Sequence, residues 1–295
     1  MHRSLLVVLL VLGSAASAYA QGATTIASIT TTAAIGSADG IRIAYTSTGT
    51  GAPALVFIHG GFADQSFWKE QIEPLSDRFQ VVTLDLAGHG SSGKRYREWT
   101  MDMYGEDVGS VVKALDLESV VLVGNSLGGP VALAAAKKLP GIVQGIIAVD
   151  TFQDVQKEWK EAARQAYVQA LRDDFPATCD AMVKQLLLEG TDPVLYAWVE
   201  DQMCGFDPEV APRVVEGFLD YDLASEFGGS EVPIRAILGE TIPLNLEGNR
   251  ELKPDFDAVV MEGCGHYPML ERPEEFNQHL LAYLQELMLP HNAVE

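Results

Sequence analysis

Short β-rich runs alternate with segments of helical periodicity along most of this chain, and this alternation limits the folds that it can adopt. Strand-forming runs occupy 41–46, 54–59, 80–85, 120–124, 143–150, 234–239 and 258–262. Helical runs occupy 66–77, 101–115, 131–138 and a last segment from 272. The Thr/Ala-rich stretch 22–34 is either a loose start or a first edge strand. The pattern predicts βαβ units in an α/β fold with a mostly parallel, doubly wound sheet.

The alternation stops between Thr151 and about Ser230, where no strand-forming run occurs. Apolar residues recur at helical spacing from Val155 to Leu171, and further helical runs follow. We interpret 151–230 as a helical cap inserted after the sixth core strand. It would cover the edge of the sheet where reactive groups of such folds lie, between core segments 21–150 and 231–295.

The charge balance is strongly acidic. Asp and Glu number 41 against 20 Lys and Arg, so the formal net charge is −21, and no block of basic residues interrupts the acidity. Such a surface repels nucleic acid and anionic membranes, which leaves a small-molecule substrate as the expected partner. The 47% hydrophobic content is sufficient for a sizeable core.

Residues 1–20 have the pattern of a signal peptide. A short basic start precedes an apolar run, and small residues end in Ala18-Tyr19-Ala20. The apolar run is shorter than the ~18 residues of a spanning helix, although an uncleaved anchor is the alternative. We expect cleavage before Gln21 and export of a periplasmic or secreted protein without stable membrane insertion.

Three cysteines would then lie in an oxidising compartment. Cys179 and Cys204 form a disulfide or, together with Cys264, remain small buried thiols; the sequence leaves both alternatives open. No cysteine and histidine spacing resembles a zinc site, and no glycine-rich phosphate cradle occurs. We therefore predict neither a metal nor another cofactor.

The segment Gly124-Asn125-Ser126-Leu127-Gly128 matches G-x-S-x-G and joins a predicted strand to a predicted helix. This is the setting in which the motif forms a nucleophile elbow, a sharp turn that exposes the serine hydroxyl above the sheet. The alternative is a plain glycine turn. We predict that Ser126 is a nucleophile.

A serine nucleophile requires a base, and the position of His266 favours it among six histidines. It follows the final strand, where a loop can bring its imidazole to Ser126, and an imidazole can act as both general base and general acid. The others lie in the signal segment, in Gly-flanked loops, in the last helix or in the tail: His2, His59, His89, His279 and His291.

Four motifs, HGGF (59–62), DLAGHGSS (85–92), GNSLGG (124–129) and GCGHYPMLERPEEF (263–276), resemble those of the α/β-hydrolase superfamily. The resemblance covers nearly the whole chain after residue 20, and the helical insertion is similar to the cap of the family. It implies a Ser-His-acid triad. It also implies an oxyanion hole made by the N–H of Leu127 and that of Gly61 or Phe62.

The position of the acid differs from the commonest pattern of the family that this chain resembles. In that pattern the acid is the aspartate of a G-x-x-D segment after the strand that follows the cap. Here that stretch reads Gly239-Glu240-Thr241-Ile242, with isoleucine in place of aspartate. Some family members carry the acid after the strand before the cap, and Asp150 ends that strand. We predict Asp150 as the acid, with Glu240 as its rival and a helix N-cap as the alternative role of Asp150.

A serine at the elbow argues against the dehalogenases and epoxide hydrolases of this family, which carry aspartate there. The prediction is therefore hydrolysis of a carboxylic ester, lactone or thioester through an acyl-serine intermediate. The elbow also resembles that of carbon–carbon bond hydrolases. A homologue that binds its ligand with slow or no turnover is the third alternative.

Overall fold

The computed structural model describes residues 30–94 and 98–289. They form an eight-stranded sheet in the order β1-β2-β4-β3-β5-β6-β7-β8. The strands are β1 (Thr30–Gly36), β2 (Arg42–Thr48), β3 (Ala54–Ile58), β4 (Val81–Leu84), β5 (Val120–Asn125), β6 (Val143–Val149), β7 (Ile234–Leu238) and β8 (Asp257–Val260). Strand β2 runs antiparallel to both β1 and β4, and all other neighbouring strands of the sheet are parallel. The predicted α/β fold with a mostly parallel sheet is confirmed.

Helices alternate with most of the strands along the chain and pack against the sheet. They are α1 (Lys69–Ser76), preceded by a 3₁₀ turn at Gln65–Trp68, α2 (Met101–Ala114), α3 (Gly128–Lys138), α4 (Glu161–Asp173), α5 (Phe175–Leu186), α6 (Pro193–Cys204), α7 (Ala211–Leu219), α8 (Leu223–Gly228), α9 (Leu246–Leu252), α10 (Pro268–Glu271) and α11 (Pro273–Met288). The five helices α4 to α8 follow one another between β6 and β7, where every residue is described, without an intervening strand.

The central strands are mostly apolar because both faces of the sheet are covered; Thr83, Asn125 and Arg235 are their buried polar exceptions. Every residue of β3, β4, β5 and β7 is buried, which is typical of parallel strands packed between helices. The register pairs Ile58 with Gly124 and Asn125 with Val149. The carboxyl ends of β3, β5 and β6 therefore lie side by side, and the segments that follow them meet at one edge.

A disulfide joins Cys179 on α5 to Cys204 on α6, whereas Cys264 is a free, buried thiol. The structure thus decides between the two alternatives for the cysteines. Within residues 30–94 and 98–289, no helix has the length and apolar character needed to cross a membrane.

The differences from the predicted elements are local. The helix expected over 66–77 is a 3₁₀ turn followed by α1, and α3 begins at Gly128 rather than at 131. The end of the Thr/Ala-rich stretch forms edge strand β1. Helices α9 and α10 are too short for periodicity to predict. The predicted signal peptide, His2 and His291 lie outside the described residues.

Candidate active site

Ser126 occupies a sharp turn between β5 and α3. Its backbone has a left-handed φ of 51°, a conformation that costs a non-glycine residue roughly 1–2 kcal/mol. The turn is held by hydrogen bonds from Ser126 N to Val149 O (3.0 Å) and from Gly129 N to Ser126 O (3.0 Å). The side chain is half-buried. Backbone strain of this kind in a tight turn is typical of functional sites.

The two glycines of the motif are required by close backbone approach. A Cβ on Gly124 would lie 2.2 Å from Gly128 O, and one on Gly128 would lie 2.4 Å from Ile58 O. Both distances are far below van der Waals contact, so neither position accepts a larger residue without displacing the turn. The sequence pattern G-x-S-x-G is therefore a steric consequence of turning directly from β5 into α3.

Asp150 and His266 lie together at the same edge of the sheet. The Asp150 carboxylate accepts a hydrogen bond from His266 Nδ1 through Oδ2, and its side chain is fully buried. The other oxygen, Oδ1, accepts from Gly239 N at 2.8 Å and from Gln153 Nε2 at 3.0 Å. With Nδ1 donating to Asp150, His266 Nε2 is the nitrogen that can accept a proton.

The rival acid lies elsewhere. Glu240 is exposed, and its carboxylate accepts from Gly263 N at 2.8 Å. Asp150 caps no helix at this point, because α4 begins at Glu161 with Lys160 in the cap position. Of the two predicted acids, the structure brings Asp150 and not Glu240 into hydrogen-bond contact with His266.

The loop that carries His266 is fixed on both sides by one carboxylate. Glu271 accepts from Gly265 N at 2.8 Å and from Tyr267 N at 3.0 Å, and burial raises the pKa of its carboxyl group. The backbone of His266 also donates to Leu186 O at 2.8 Å, at the end of α5. The imidazole is thereby held against Asp150 by contacts from α10 and from the helical insertion.

A loop after β3 passes directly beside the elbow. A Cβ on Gly60 would lie 3.3 Å from Ser126 Cβ, and Phe62 has a left-handed φ of 62°. The ring of Phe62 packs on Phe175 and Phe206, with centroids 5.4 and 5.1 Å apart, which links this loop to the helical insertion. Backbone N–H groups in this loop and at the start of α3 can stabilise negative charge that develops beside Ser126.

The family follows from comparison with known proteins. A sequence model of the alpha/beta hydrolase family matches residues 55–279. The chain belongs to the alpha/beta hydrolase family. This confirms the predicted superfamily and supports a hydrolytic enzyme.

Individual relatives of this alpha/beta hydrolase have diverse activities. It is 37% identical over 261 residues to the dihydrolipoyllysine-residue acetyltransferase component of the acetoin cleaving system of Cupriavidus necator, covering 83% of this chain and 67% of that protein. It is 26% identical over 238 residues to the 2-(acetamidomethylene)succinate hydrolase of Mesorhizobium japonicum, covering 75% and 84%. A thermophilic esterase from Thermogutta terrifontis superposes with a TM-score of 0.77 at 27% identity, covering 87% of this chain and 99% of the esterase.

The other described histidines of this alpha/beta hydrolase have structural partners. His59 Nδ1 donates to Gly60 O at 2.7 Å, and its Nε2 accepts from Leu86 N at 3.0 Å. Burial lowers the pKa of His59 and favours its neutral ring. His89 Nδ1 bonds Ala87 O at 3.0 Å, and His279 lies on α11 with its Nε2 3.9 Å from the Glu275 carboxylate.

Two further groups that carry chemistry in other enzymes have different roles here. Asp85 accepts from Gln65 N at 2.9 Å and from Ser91 N at 2.8 Å, so it stabilises the loops after β3 and β4. Burial raises the pKa of the Cys264 thiol to about 11, which keeps it protonated and unreactive at neutral pH. Across the described ranges, no group of three or more His, Cys, Asp and Glu side chains could hold a metal ion.

Sequence reasoning did not identify three residues that hold this edge together. Gln153 and Glu271 contact Asp150 and the His266 loop as described above. Asn125 is fully buried, and its Nδ2 donates to Val149 O at 3.0 Å and to His266 O at 3.2 Å. The proximity of Gln153 to Asp150 and of Asn125 to Ser126 in sequence is a weak signal, since Gln153 belongs to no motif and Asn125 occupies a variable position of G-x-S-x-G.

Proposed function

We propose that this alpha/beta hydrolase cleaves a carboxylic ester, lactone or thioester through an acyl intermediate on Ser126. The observation that carries the proposal is the hydrogen bond of the buried Asp150 carboxylate to His266 Nδ1, beside a strained serine elbow. A nucleophile, an acid and a base in this chain order and at one sheet edge suit acyl transfer. The esterase from Thermogutta terrifontis, 27% identical over nearly its whole length, supports the same reaction class.

In the proposed mechanism, Ser126 Oγ attacks the substrate carbonyl carbon while His266 Nε2 takes its proton. Asp150 holds the imidazole in the tautomer that accepts at Nε2 and stabilises the imidazolium without taking the proton. Collapse of the tetrahedral intermediate breaks the bond to the leaving alkoxide or thiolate, which receives the proton from His266. A water molecule, activated by His266, then attacks the acyl-serine and releases the acid.

The tetrahedral oxyanion would be stabilised by the N–H of Leu127, at the start of α3, and by that of Gly61 or Phe62. Removing one such donor typically costs about 3–4 kcal/mol of transition-state stabilisation. The strained backbone of Phe62 and its packing under Phe175 and Phe206 would keep this loop fixed before substrate binds. Pre-organised donors avoid the cost of rearranging them during the reaction.

The proposal extends to organisation and location. Residues 151–230 would act as the cap over the site, and residues 1–20 would direct export before cleavage near Ala20. A small molecule would be the substrate, and nucleic acid would not bind. Hydrolysis of a carbon–carbon bond is a second candidate, because the elbow GNSLGG resembles that of enzymes with this activity.

A fluorophosphonate probe tests the nucleophile, because only an activated serine reacts quickly with it. We expect the adduct at Ser126, identified by peptide mass spectrometry, with little labelling in Ser126→Ala or His266→Ala. Ser110→Ala, on α2 with its hydroxyl bonded to Glu106 O, is the matched control and should label normally. Labelling of Ser126→Ala at the wild-type rate would refute the serine mechanism.

Turnover of 4-nitrophenyl butyrate separates an esterase from a slow ligand-binding homologue. Rapid release of nitrophenol supports the proposal. Labelling at Ser126 without turnover of esters, lactones or thioesters would instead favour the carbon–carbon hydrolase or the slow binder.

The acid is tested by comparing two variants in the same ester assay. Asp150→Asn should lower kcat by about 10⁴-fold because the imidazole then adopts the wrong tautomer. Glu240→Gln should retain most of the activity, since its carboxylate contacts Gly263 N. If Glu240→Gln proved the more damaging change, Asp150 would not be the acid.

A further inference from the structure

The carboxylate of Asp150 receives a side-chain hydrogen bond that no motif of the sequence predicts. We propose that Gln153 is a positioning residue for Asp150, and that Asn249 on α9 holds Gln153 in place. The inference rests on the proposed function, since it assigns a role in orienting the acid of that site. Gln153 acts through Asp150, with which its Nε2 forms a 3.0 Å hydrogen bond.

The orientation of the carboxylate depends on what its two oxygens contact. Oδ2 accepts from His266, and Oδ1 accepts from Gly239 N and from Gln153 Nε2. The terminal torsion of an aspartate has a broad energy profile, so the carboxylate plane is set by its hydrogen bonds. Without Gln153, Oδ1 would keep a single donor, and the plane could rotate away from His266 Nδ1.

The turn that carries Gln153 is strained and needs external support. Asp150 and Phe152 both have left-handed φ values, 44° and 69°, although neither is glycine. Each such conformation costs a non-glycine residue roughly 1–2 kcal/mol, and it persists only where surrounding contacts impose it. Gln153 follows directly and is itself 6% exposed.

Asn249, on α9 after the helical insertion, forms hydrogen bonds that support this turn. Its Nδ2 donates to Phe152 O at 2.7 Å and, at a longer 3.3 Å, to Gln153 O, while its Oδ1 accepts from Val155 N at 3.0 Å. The side chain is fully buried. Asn245 N adds a 2.7 Å bond to Gln153 O. One amide side chain therefore contacts the backbone on both sides of Gln153.

The segment after β7 supports the acid instead of providing it. It has Ile242 where many family members carry the aspartate, but its Gly239 N donates to Asp150, and it leads into α9, which carries Asn249. The segment thus contributes hydrogen-bond donors that orient the acid at the end of β6.

The test compares Gln153→Met with wild type in ester hydrolysis. Methionine has a similar length but no N–H donor, so kcat should fall about 10- to 100-fold, the effect of losing one hydrogen bond to a charged group. KM should stay near wild type, and Tm should fall by only a few degrees, because the folded state also loses this hydrogen bond. Asn249→Leu should lower kcat and should lower Tm further, because it releases the strained turn as well. Gln80→Met, at a half-buried glutamine bonded to Ser47 Oγ, is the matched control and should leave kcat unchanged.

A readout independent of turnover distinguishes this inference from the proposed function. The Nδ1–H proton of an imidazole bonded to a carboxylate gives a far-downfield proton NMR resonance, assigned here by its absence in His266→Ala. Gln153→Met should shift or broaden that resonance, and Gln80→Met should not. An unchanged resonance together with wild-type kcat would overturn the positioning role. Wild-type ester hydrolysis by Ser126→Ala would refute the proposed function. The resonance would still show whether Gln153 orients Asp150 toward His266.

Discussion

Removal of the Cys179–Cys204 disulfide should destabilise the protein by an amount that follows from chain entropy. The bridge closes a segment of 25 residues, and the loop-closure relation gives about 3.5 kcal/mol at 25 °C for that length. For a chain of this size, each kcal/mol lowers Tm by roughly 2–4 °C, so we expect a decrease of about 7–14 °C. The variant is the double replacement Cys179→Ala and Cys204→Ala.

The bridge joins two helices of the insertion between β6 and β7, and aromatic residues next to it contact the loop beside Ser126. Phe175 precedes Cys179 by one turn of α5, and Phe206 follows Cys204 by two residues; both rings pack on Phe62. Loss of the cross-link should therefore loosen the packing of Phe175 and Phe206 on Phe62, which fixes the loop beside Ser126.

Cys264→Ala is the matched control, because it removes a fully buried sulfur without breaking a cross-link. Urea unfolding, monitored by tryptophan fluorescence and circular dichroism, gives the free energy of unfolding of the double variant and of Cys264→Ala. Reductant should lower the Tm of the wild type toward that of the double variant and leave the double variant unchanged. If the double variant lost no more stability than Cys264→Ala, the chain-entropy reasoning would be wrong.

Two further predictions concern the loops at the sheet edge. Burial lowers the pKa of His59 below its usual 6.5, so the unfolded chain binds more protons than the native state below that pH. Stability should therefore fall as the pH drops from about 6.5, and less steeply in His59→Gln; equal slopes in urea unfolding between pH 5 and 7 would contradict this. A Cβ on Gly239 would lie 1.9 Å from Gly265 O, so Gly239→Ala should cost about 1–3 kcal/mol and most of the ester hydrolysis. Gly36→Ala, which meets open space on an edge strand, is the control, and equal Tm and activity in the two variants would refute the steric argument.

The fold class could be predicted because its signals are local. Buried parallel strands read as continuous apolar runs, and amphipathic helices repeat every three to four residues, so both patterns are complete within a short window. The turn at Ser126 is local as well, since the glycines at 124 and 128 relieve clashes within the elbow and with the adjacent strand β3.

The partners of the site residues could not be predicted in the same way. Asp150 and His266 are separated by 116 residues, and Asp150 and Gly239 by 89. Its place at a strand end favours Asp150 over Glu240, but this argument shows only that a residue lies at the same edge of the sheet as His266, not that it contacts the imidazole. Which carboxylate reaches the imidazole depends on the left-handed turn at Asp150 and on the loops around it.

Residues close together in the chain encode the succession of strands and helices along it, the elbow at Ser126 and the motifs of the family. Only the folded chain shows that Asp150 contacts His266, that Cys179 and Cys204 are bridged, and that Gln153, Asn249 and Glu271 support the site. These contacts depend on distances between elements, and those distances are set only when the helices pack on the assembled sheet.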